Sequence, residues 1–271
     1  MHLPDTRVVV AGDWDGDRRW ATKAFRALRE AAPDVETILH VGDFYPGARP
    51  LEGSSHWLDH IDELAWSHGI RRILVTLGNH EPWPTLAPLI AGGKPAQVSV
   101  AVWVLPRPYR FTIAGREVLS LGGAASLDRE RRVEGVTWFP EEAITEDHVE
   151  QAIAGGPADL MLTHESPEPS PVRAVAHLLR RRSRFSTAVL AASQASRERV
   201  TRVWGAVRPE LLIHGHMHEA GGGQAPDGRR VVSLGGEGQW GNMLVLEALT
   251  LSGDAVVTPI PHAYGGSLPA R

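Results

Sequence analysis

Apolar runs alternate with polar helical stretches along the first part of the chain, and five of these runs stop at side chains able to bind a metal. RVVVAG stops at Asp13, ILHVG at Asp43, RILVTLG at Asn79-His80, DLMLT at His164, and ELLIHG at His216-Met217-His218. Short β-branched and Leu-rich runs between turn signals predict buried strands. Asp17–Ala32 carries Trp20, Ala24, Phe25 and Leu28 at helical spacing and stops before Pro33; Ser54–His68 does the same with Trp57, Ile61, Leu64 and Ala65. This β-α-β-α-β rhythm predicts a largely parallel sheet with crossover helices. Ligand sites of such sheets lie at the carboxyl ends of the strands, so the five endpoints predict one metal centre.

Further along, the pattern changes. Val98–Leu105, Tyr109–Ile113 and Glu117–Leu121 read as consecutive strands, the last two joined as a hairpin through Ala114-Gly115. Ile144–Ala154 reads as a helix capped by Thr145 and stopped by Gly155-Gly156. Pro171–Val207 reads as two helices with a break near Ser183. Strands return at Arg229–Leu234, after an Asp227-Gly228 turn, and at Asn242–Leu249 and Ala255–Ile260. No repeat or linker interrupts the chain, and any cut between Asp13 and His218 would split the ligand set. A single domain over residues 1–262 with a flexible tail at 263–271 is the expectation.

Composition narrows the chemistry. The chain has 271 residues, 42% hydrophobic and 22% charged, which is ordinary for a globular protein. It has no cysteine, which removes thiolate nucleophiles, iron–sulfur clusters, Cys-based zinc sites and disulfides together. A metal must therefore be held by Asp, Asn and His. The formal net charge of -4 argues against a binder of long nucleic acid through a basic surface. No apolar run is long enough to span a membrane, and no signal-like segment opens the chain; a cytoplasmic protein without membrane partners is expected.

The blocks GDWDG at Gly12–Gly16, GD at Gly42-Asp43, GNHE at Gly78–Glu81, TH at Thr163-His164 and GHMH at Gly215–His218 resemble the calcineurin-like metallophosphoesterase superfamily, in the family order and over most of the chain. The resemblance implies an α/β fold with two mixed sheets packed face to face and helices outside. It implies that Asp13 and His218 bind one metal, that Asn79, His164 and His216 bind a second, and that Asp43 bridges them. His80 corresponds to the non-ligand histidine that protonates the leaving group. Two divalent ions about 3.5–4 Å apart can clamp the attacking and leaving oxygens of an in-line displacement, and water shared between them becomes hydroxide near neutral pH. Only a carboxylate offers two oxygens for bridging. Mn²⁺ is the expected ion, with Fe, Zn²⁺, Ni²⁺ or Mg²⁺ as alternatives.

Two departures matter. The family's opening block is usually D-x-H, and here Asp15 holds the histidine position. It is expected to face the first metal in an oxygen-rich site; the competing reading is a cap on the following helix. The protein-phosphatase extension GDxxDRG is replaced by Gly42-Asp43-Phe44-Tyr45-Pro46-Gly47, which argues against that subgroup and leaves Glu81 as the candidate to orient His80. The glycines at 12, 42, 78 and 215 are expected to let the backbone approach the metals and take positive φ. His40 and His214 read as core residues or neighbours of the ligands; His56, His60, His148 and His177 read as solvent-facing. Arg129, Arg131 and Arg132 are candidate phosphate contacts, with pairing to Glu141 or Glu142 as the alternative. The run Arg180–Arg184 reads as a solvated helix end or an anion patch. Trp14, Trp83, Trp138 and Trp240 read as packing residues that could instead line a cleft. The function expected is metal-dependent hydrolysis of a small phosphate ester, favouring a phosphodiester or nucleotide-like substrate. The alternatives are a scaffold that has lost catalysis and a nuclease.

Overall fold

The computed structural model describes residues 1–45, 55–181, 185–247 and 256–259. Its strands are β1 (His2–Leu3), β2 (Val8–Ala11), β3 (Thr37–His40), β4 (Arg72–Val75), β5 (Ala96–Gln97), β6 (Val102–Val104) and β7 (Tyr109–Ile113), then β8 (Arg116–Leu121), β9 (Leu160–Thr163), β10 (Leu211–His214), β11 (Gly221–Gln224), β12 (Arg230–Ser233), β13 (Met243–Glu247) and β14 (Val256–Pro259). The helices are α1 (Arg18–Ala31), α2 (Ser55–His68), α3 (Trp83–Ile90), α4 (Glu146–Ala154), α5 (Arg173–Arg180) and α6 (Thr187–Val207). One sheet runs β14-β13-β2-β3-β4-β6-β5 and the other β1-β7-β8-β9-β10-β12-β11. Each is built on four parallel strands, β2-β3-β4-β6 and β8-β9-β10-β12.

The period-2 alternation of side chains divides the apolar residues into three layers. Val8, Val10 and Leu39 meet Leu160, Leu162 and Ile213 between the two sheets. Val9, Ala11 and Ile38 point the other way, onto Trp20, Phe25 and Leu28 of α1 and Trp57 and Ile61 of α2. Leu119, Met161 and Leu212 pack against Val149 of α4 and Val200 and Trp204 of α6. The result is the expected four-layer helix–sheet–sheet–helix sandwich, because each parallel strand is apolar on both faces and needs a cover on each.

Most of the expected elements occur within a residue or two of their expected bounds, and the differences have local causes. Asp17, not Asp15, caps α1, accepting from the N–H groups of Arg19 and Trp20. The run Val98–Leu105 is not one strand: β5 turns back antiparallel onto β6. The carboxylate of Asp62 in α2 holds that turn, accepting from Ser99 Oγ and the N–H groups of Val100 and Ala101. The Ala114-Gly115 hairpin has positive φ at both residues (49° and 81°), as a type I′ turn requires. Helix α3 escapes a sequence reading because Pro84 and Pro88 lie in it. His148 does not face solvent freely; its Nδ1 accepts from Thr145 N–H and completes a capping box with it. His60 is half-buried, bridging to Thr22 and Arg18 of α1, whereas His56 and His177 are exposed. Ser54, Ser183, Leu249 and the expected tail lie outside the described residues, as do Pro46-Gly47 and three of the residues in 180–184. Among the described residues, no helix is long and apolar enough to cross a membrane.

One buried amide ties this framework to the first ligand loop. Asn242 is 1% exposed. Its Oδ1 accepts from the indole N–H groups of Trp14 (3.1 Å) and Trp20 (2.9 Å), while its Nδ2 donates to the carbonyls of Gly12 (2.6 Å) and Gly235 (2.8 Å). Replacing Asn242 with Ala strands all four groups in a dry environment. We expect a loss of about 3 kcal/mol or more in unfolding free energy, since each unsatisfied buried group costs about 1–3 kcal/mol. Urea denaturation checks this; a loss within experimental error would show that the amide is not the anchor.

Candidate metal centre and active site

The carboxyl ends of β2, β3 and β4 from one sheet meet those of β9 and β10 from the other, and the loops leaving these five strands carry Asp13, Asp43, Asn79, His164 and His216. Ligand atoms of Asp13, Asp43 and His164 lie within 4.8 Å of one another, as do those of Asp15, Asp43 and His80. Asp43 belongs to both groups. His218 Nε2 is 3.2 Å from Asp13 Oδ1, and the His164 and His216 rings lie 5.0 Å apart. The structure therefore brings all of the sequence-predicted residues to one place.

Hydrogen bonds orient them so that acceptors converge. His164 Nδ1–H donates to the Val41 carbonyl (2.7 Å), leaving Nε2 as a lone pair. That Nε2 faces Asn79 Oδ1 at 2.9 Å and Asp43 Oδ2 at 3.3 Å. The Asn79 amide is held in this sense because its Nδ2 donates to Ser126 Oγ (2.9 Å), which donates in turn to Glu142 (2.7 Å). When the imidazole is neutral, three acceptor atoms point at one another, an arrangement that a cation at this point would satisfy. A carbonyl or carboxylate behind a metal-binding imidazole is the usual way to fix its free nitrogen.

The electrostatics lead to the same conclusion. Asp13 is fully buried and Asp43 is 2% exposed. Burial pushes the Asp13 carboxyl up, opposed by His218 and His164. Burial lowers the His164 pKa, but Asp43 beside it more than reverses this, and the value rises to about 10. The bond to Asp13, opposed by burial, lifts His218 to about 9. The carboxylates draw positive charge into the site, and a divalent ion supplies it without burying protonated imidazoles. The donor set of carboxylates, an amide oxygen and imidazoles suits Mn²⁺, Fe, Ni²⁺ or Zn²⁺, so the residues fit a metal centre.

The backbone is shaped for this arrangement in a way that revises the expectation for the glycines. Of the four, only Gly42 has positive φ (102°). The left-handed conformation is instead taken by the functional residues Asp13 (52°), Asp15 (46°), Asp43 (51°), His216 (63°) and His218 (53°). Such residues are uncommon and gather at functional sites, where the surrounding structure holds the strain. Gly78 and Gly215 serve close approach: a methyl group on Gly78 would overlap the Asp43 carboxylate, and one on Gly215 the Asp13 carboxylate.

His80 sits at the mouth of the site. Its backbone N–H donates to Asp43 Oδ1 (2.8 Å). Its ring is 3.6 Å from Asp15 Oδ1 and 3.8 Å from Asp128 Oδ1, with Arg132 at 2.8 Å. Burial lowers its pKa, while Asp43, Asp128 and Asp15 raise it further, to well above the ordinary histidine value. Glu81 does not orient it. Glu81 turns inward, fully buried, and accepts from the N–H groups of Phe44, Tyr45 and Gly78. Burial and nearby Asp43 raise it to about 7. The acidic neighbour of His80 that the sequence reading missed is Asp128, itself paired with Arg132 (2.7 Å). An Asp–Arg pair at i,i+4 across the short 3-10 turn Arg129–Arg131 was the available signal.

The other candidates separate clearly. His40 and His214 are buried, and burial lowers them to about 3 and 4, so both are neutral packing residues. Neither Glu141 nor Glu142 pairs with the arginine cluster: Glu142 faces Ser126, and Arg129 pairs with Glu134 and stacks on Trp138. Trp14 and Trp83 are core residues, and Trp138 and Trp240 line hollows other than this one. The ligand cluster opens into a cleft of about 620 Å³ that also reaches Leu127, Arg131, Leu178, Arg181, Phe185 and Met217.

The buried carboxylates and imidazoles at facing strand ends are a donor set that suits a metal-dependent hydrolase. Residues 6–220 match the calcineurin-like phosphoesterase family, and the chain belongs to it. No curated protein matches the sequence. Among solved structures, a dimetal phosphatase from Danio rerio superposes with a TM-score of 0.58 at 13% identity, covering 95% of this chain and 100% of that one. The protein TT1561 of Thermus thermophilus superposes with a TM-score of 0.52 at 13% identity, covering 89% and 94%. At such identity the likeness is one of fold.

The packing at Gly215 yields a direct test. Gly215→Ala forces the Asp13 carboxylate aside, so bound metal should fall while the far-ultraviolet circular dichroism spectrum stays as in the wild type. Full metal content measured by plasma mass spectrometry would refute the close-approach argument.

Proposed function

We propose that this protein hydrolyses a small phosphodiester or nucleotide-like ester with the aid of two divalent ions, Mn²⁺ foremost. The observation that carries the proposal is the convergence of His164 Nε2, Asn79 Oδ1 and Asp43 Oδ2 beside buried Asp13, at an open cleft. Asp13, Asp15 and His218 would hold one ion, Asn79, His164 and His216 the other, and Asp43 both. When bound, the ions supply Lewis acidity that activates water and offsets charge on the phosphoryl oxygens.

The chain's own residues do the rest. Val41, Ser126 and Glu142 hold His164 and Asn79 in their working orientations. The His216 N–H, donating to Asp13 Oδ1 (3.0 Å), and the His80 N–H, donating to Asp43, hold the two buried carboxylates. His80 gives its proton to the leaving oxygen, and Asp128 and Asp15 keep its ring at the cleft. Asp15 in place of an imidazole makes the first position richer in oxygen, which shifts preference toward Mn²⁺ or Mg²⁺.

Chelation should abolish turnover of bis(4-nitrophenyl) phosphate, and Mn²⁺ should restore it. Metal titration of Asp15→Ala should show one ion bound more weakly. A folded protein inert with every common divalent ion would favour a scaffold instead, and unchanged stoichiometry and affinity in Asp15→Ala would remove that residue from the ligand set.

His80→Ala should keep near-normal metal content and lose about 10²–10⁴-fold in rate on esters with poor leaving groups. It should lose far less on the activated nitrophenyl ester, whose leaving group needs no proton. Equal losses on both substrates would rule out the acid role.

A further inference from the structure

Among the described residues the buried carboxylates are Asp13, Asp43, Glu81, Glu142 and Glu165. Asp13 and Asp43 belong to the candidate metal centre, Glu81 gathers N–H groups around Asp43, and Glu142 holds Ser126. Glu165 follows the ligand His164 directly, just past the end of β9, and is fully buried. It is fixed at both ends. Its carbonyl accepts from Thr163 Oγ1 (2.7 Å), its Oε1 from the Ser166 N–H (3.1 Å) and its Oε2 from the Ala125 N–H (3.3 Å). Removing a carboxylate from water is costly, so a fold that keeps one buried must offset its charge.

Glu165 meets the support of each ligand assigned to the second ion. Its own backbone joins it to His164. Its Oε2 lies 4.0 Å from His216 Nε2, an ion-pair contact rather than a hydrogen bond. The same oxygen holds Ala125, and the next residue, Ser126, accepts from the Asn79 amide at 2.9 Å. Burial pushes the Glu165 carboxyl up, while Arg197 and the N–H groups of Ala125 and Ser166 oppose this.

From this junction we propose that Glu165 is a positioning residue for the second ion, acting through His216 and Asn79. This rests on the two-ion reading above and extends it to a residue outside the ligand set. An anion beside Nε2 favours the tautomer that carries its proton there, which leaves the lone pair on Nδ1 for the ion. A carboxylate behind an imidazole fixes the ring and raises its basicity as a ligand. The grip on Ala125 holds Ser126 in place, and with it the sense in which Asn79 presents its carbonyl oxygen. These contacts lead to the supports of one ion, so loss of the Glu165 charge should be felt at that ion.

The test is a Mn²⁺ titration of the full-length protein followed by electron paramagnetic resonance. Wild type should bind two ions. Glu165→Gln, of the same size but without the charge, should bind one as wild type does and the other about 10–100-fold more weakly. Glu165→Asp keeps the charge on a shorter side chain; it should weaken the same ion by less, and it stands in for the glutamine variant if that does not fold. In the Asp15→Ala, Glu165→Gln double variant neither ion should keep wild-type affinity, because the two residues serve different ions. At saturating Mn²⁺, turnover of bis(4-nitrophenyl) phosphate by Glu165→Gln should approach that of the wild type. Unchanged affinities, or equal weakening of both ions by the single variant, would overturn the proposal while leaving the two-ion reading intact. One ion kept at full affinity in the double variant would do the same, as would turnover that stays low with both ions bound. A wild type that binds fewer than two ions would overturn both.

Discussion

The site depends on three atoms held close together, His164 Nε2, Asn79 Oδ1 and Asp43 Oδ2, which all become acceptors when the imidazole is neutral. His164 gives its only proton in the neutral state to Val41, Asn79 gives its amide protons toward Ser126, and Asp43 is buried as an anion between them. Acceptors held 2.9–3.3 Å apart repel unless positive charge lies among them. Because they are buried, water cannot screen that repulsion. The fold therefore stores a demand for positive charge at one point, which a divalent ion would meet.

Holding such groups together requires rigid supports. The two sheets supply them through the ends of parallel strands fixed on both faces by three apolar layers. Conformational cost is concentrated in the ligand residues, five of which take the left-handed backbone, while glycine is kept where another residue's carboxylate must approach. Asn242 closes the arrangement by satisfying two indoles and two carbonyls behind Asp13. Stability and site geometry are thus joined through the same hydrogen bonds.

Around this floor the loops decide what reaches it. Asp128 and Arg132 flank His80 from a segment far along the chain, and Leu178, Arg181 and Phe185 line the same cleft. The candidate metal site lies on the family's motifs, whereas Leu127, Arg131, Arg181 and Phe185 belong to segments outside them.

The sequence by itself determined the alternation of parallel strands and helices and the residues that meet at the strand ends, while the two-sheet sandwich was implied by the family resemblance of its motifs. The alternation of apolar runs with amphipathic helices, each run ending in Asp, Asn or His, is a local pattern, and strand ends of parallel sheets lie together whatever the intervening residues. That Asp13, Asp43, Asn79, His80, His164, His216 and His218 come together was legible for that reason. Only the tertiary structure decided that Asp17 rather than Asp15 caps α1, and that Glu81 turns inward while Asp128 faces His80. It also decided that Leu127, Arg131, Arg181 and Phe185 share one cleft. Those relations join segments tens of residues apart through loops without periodicity, and side-chain direction there is set by contacts that exist only once both sheets have packed.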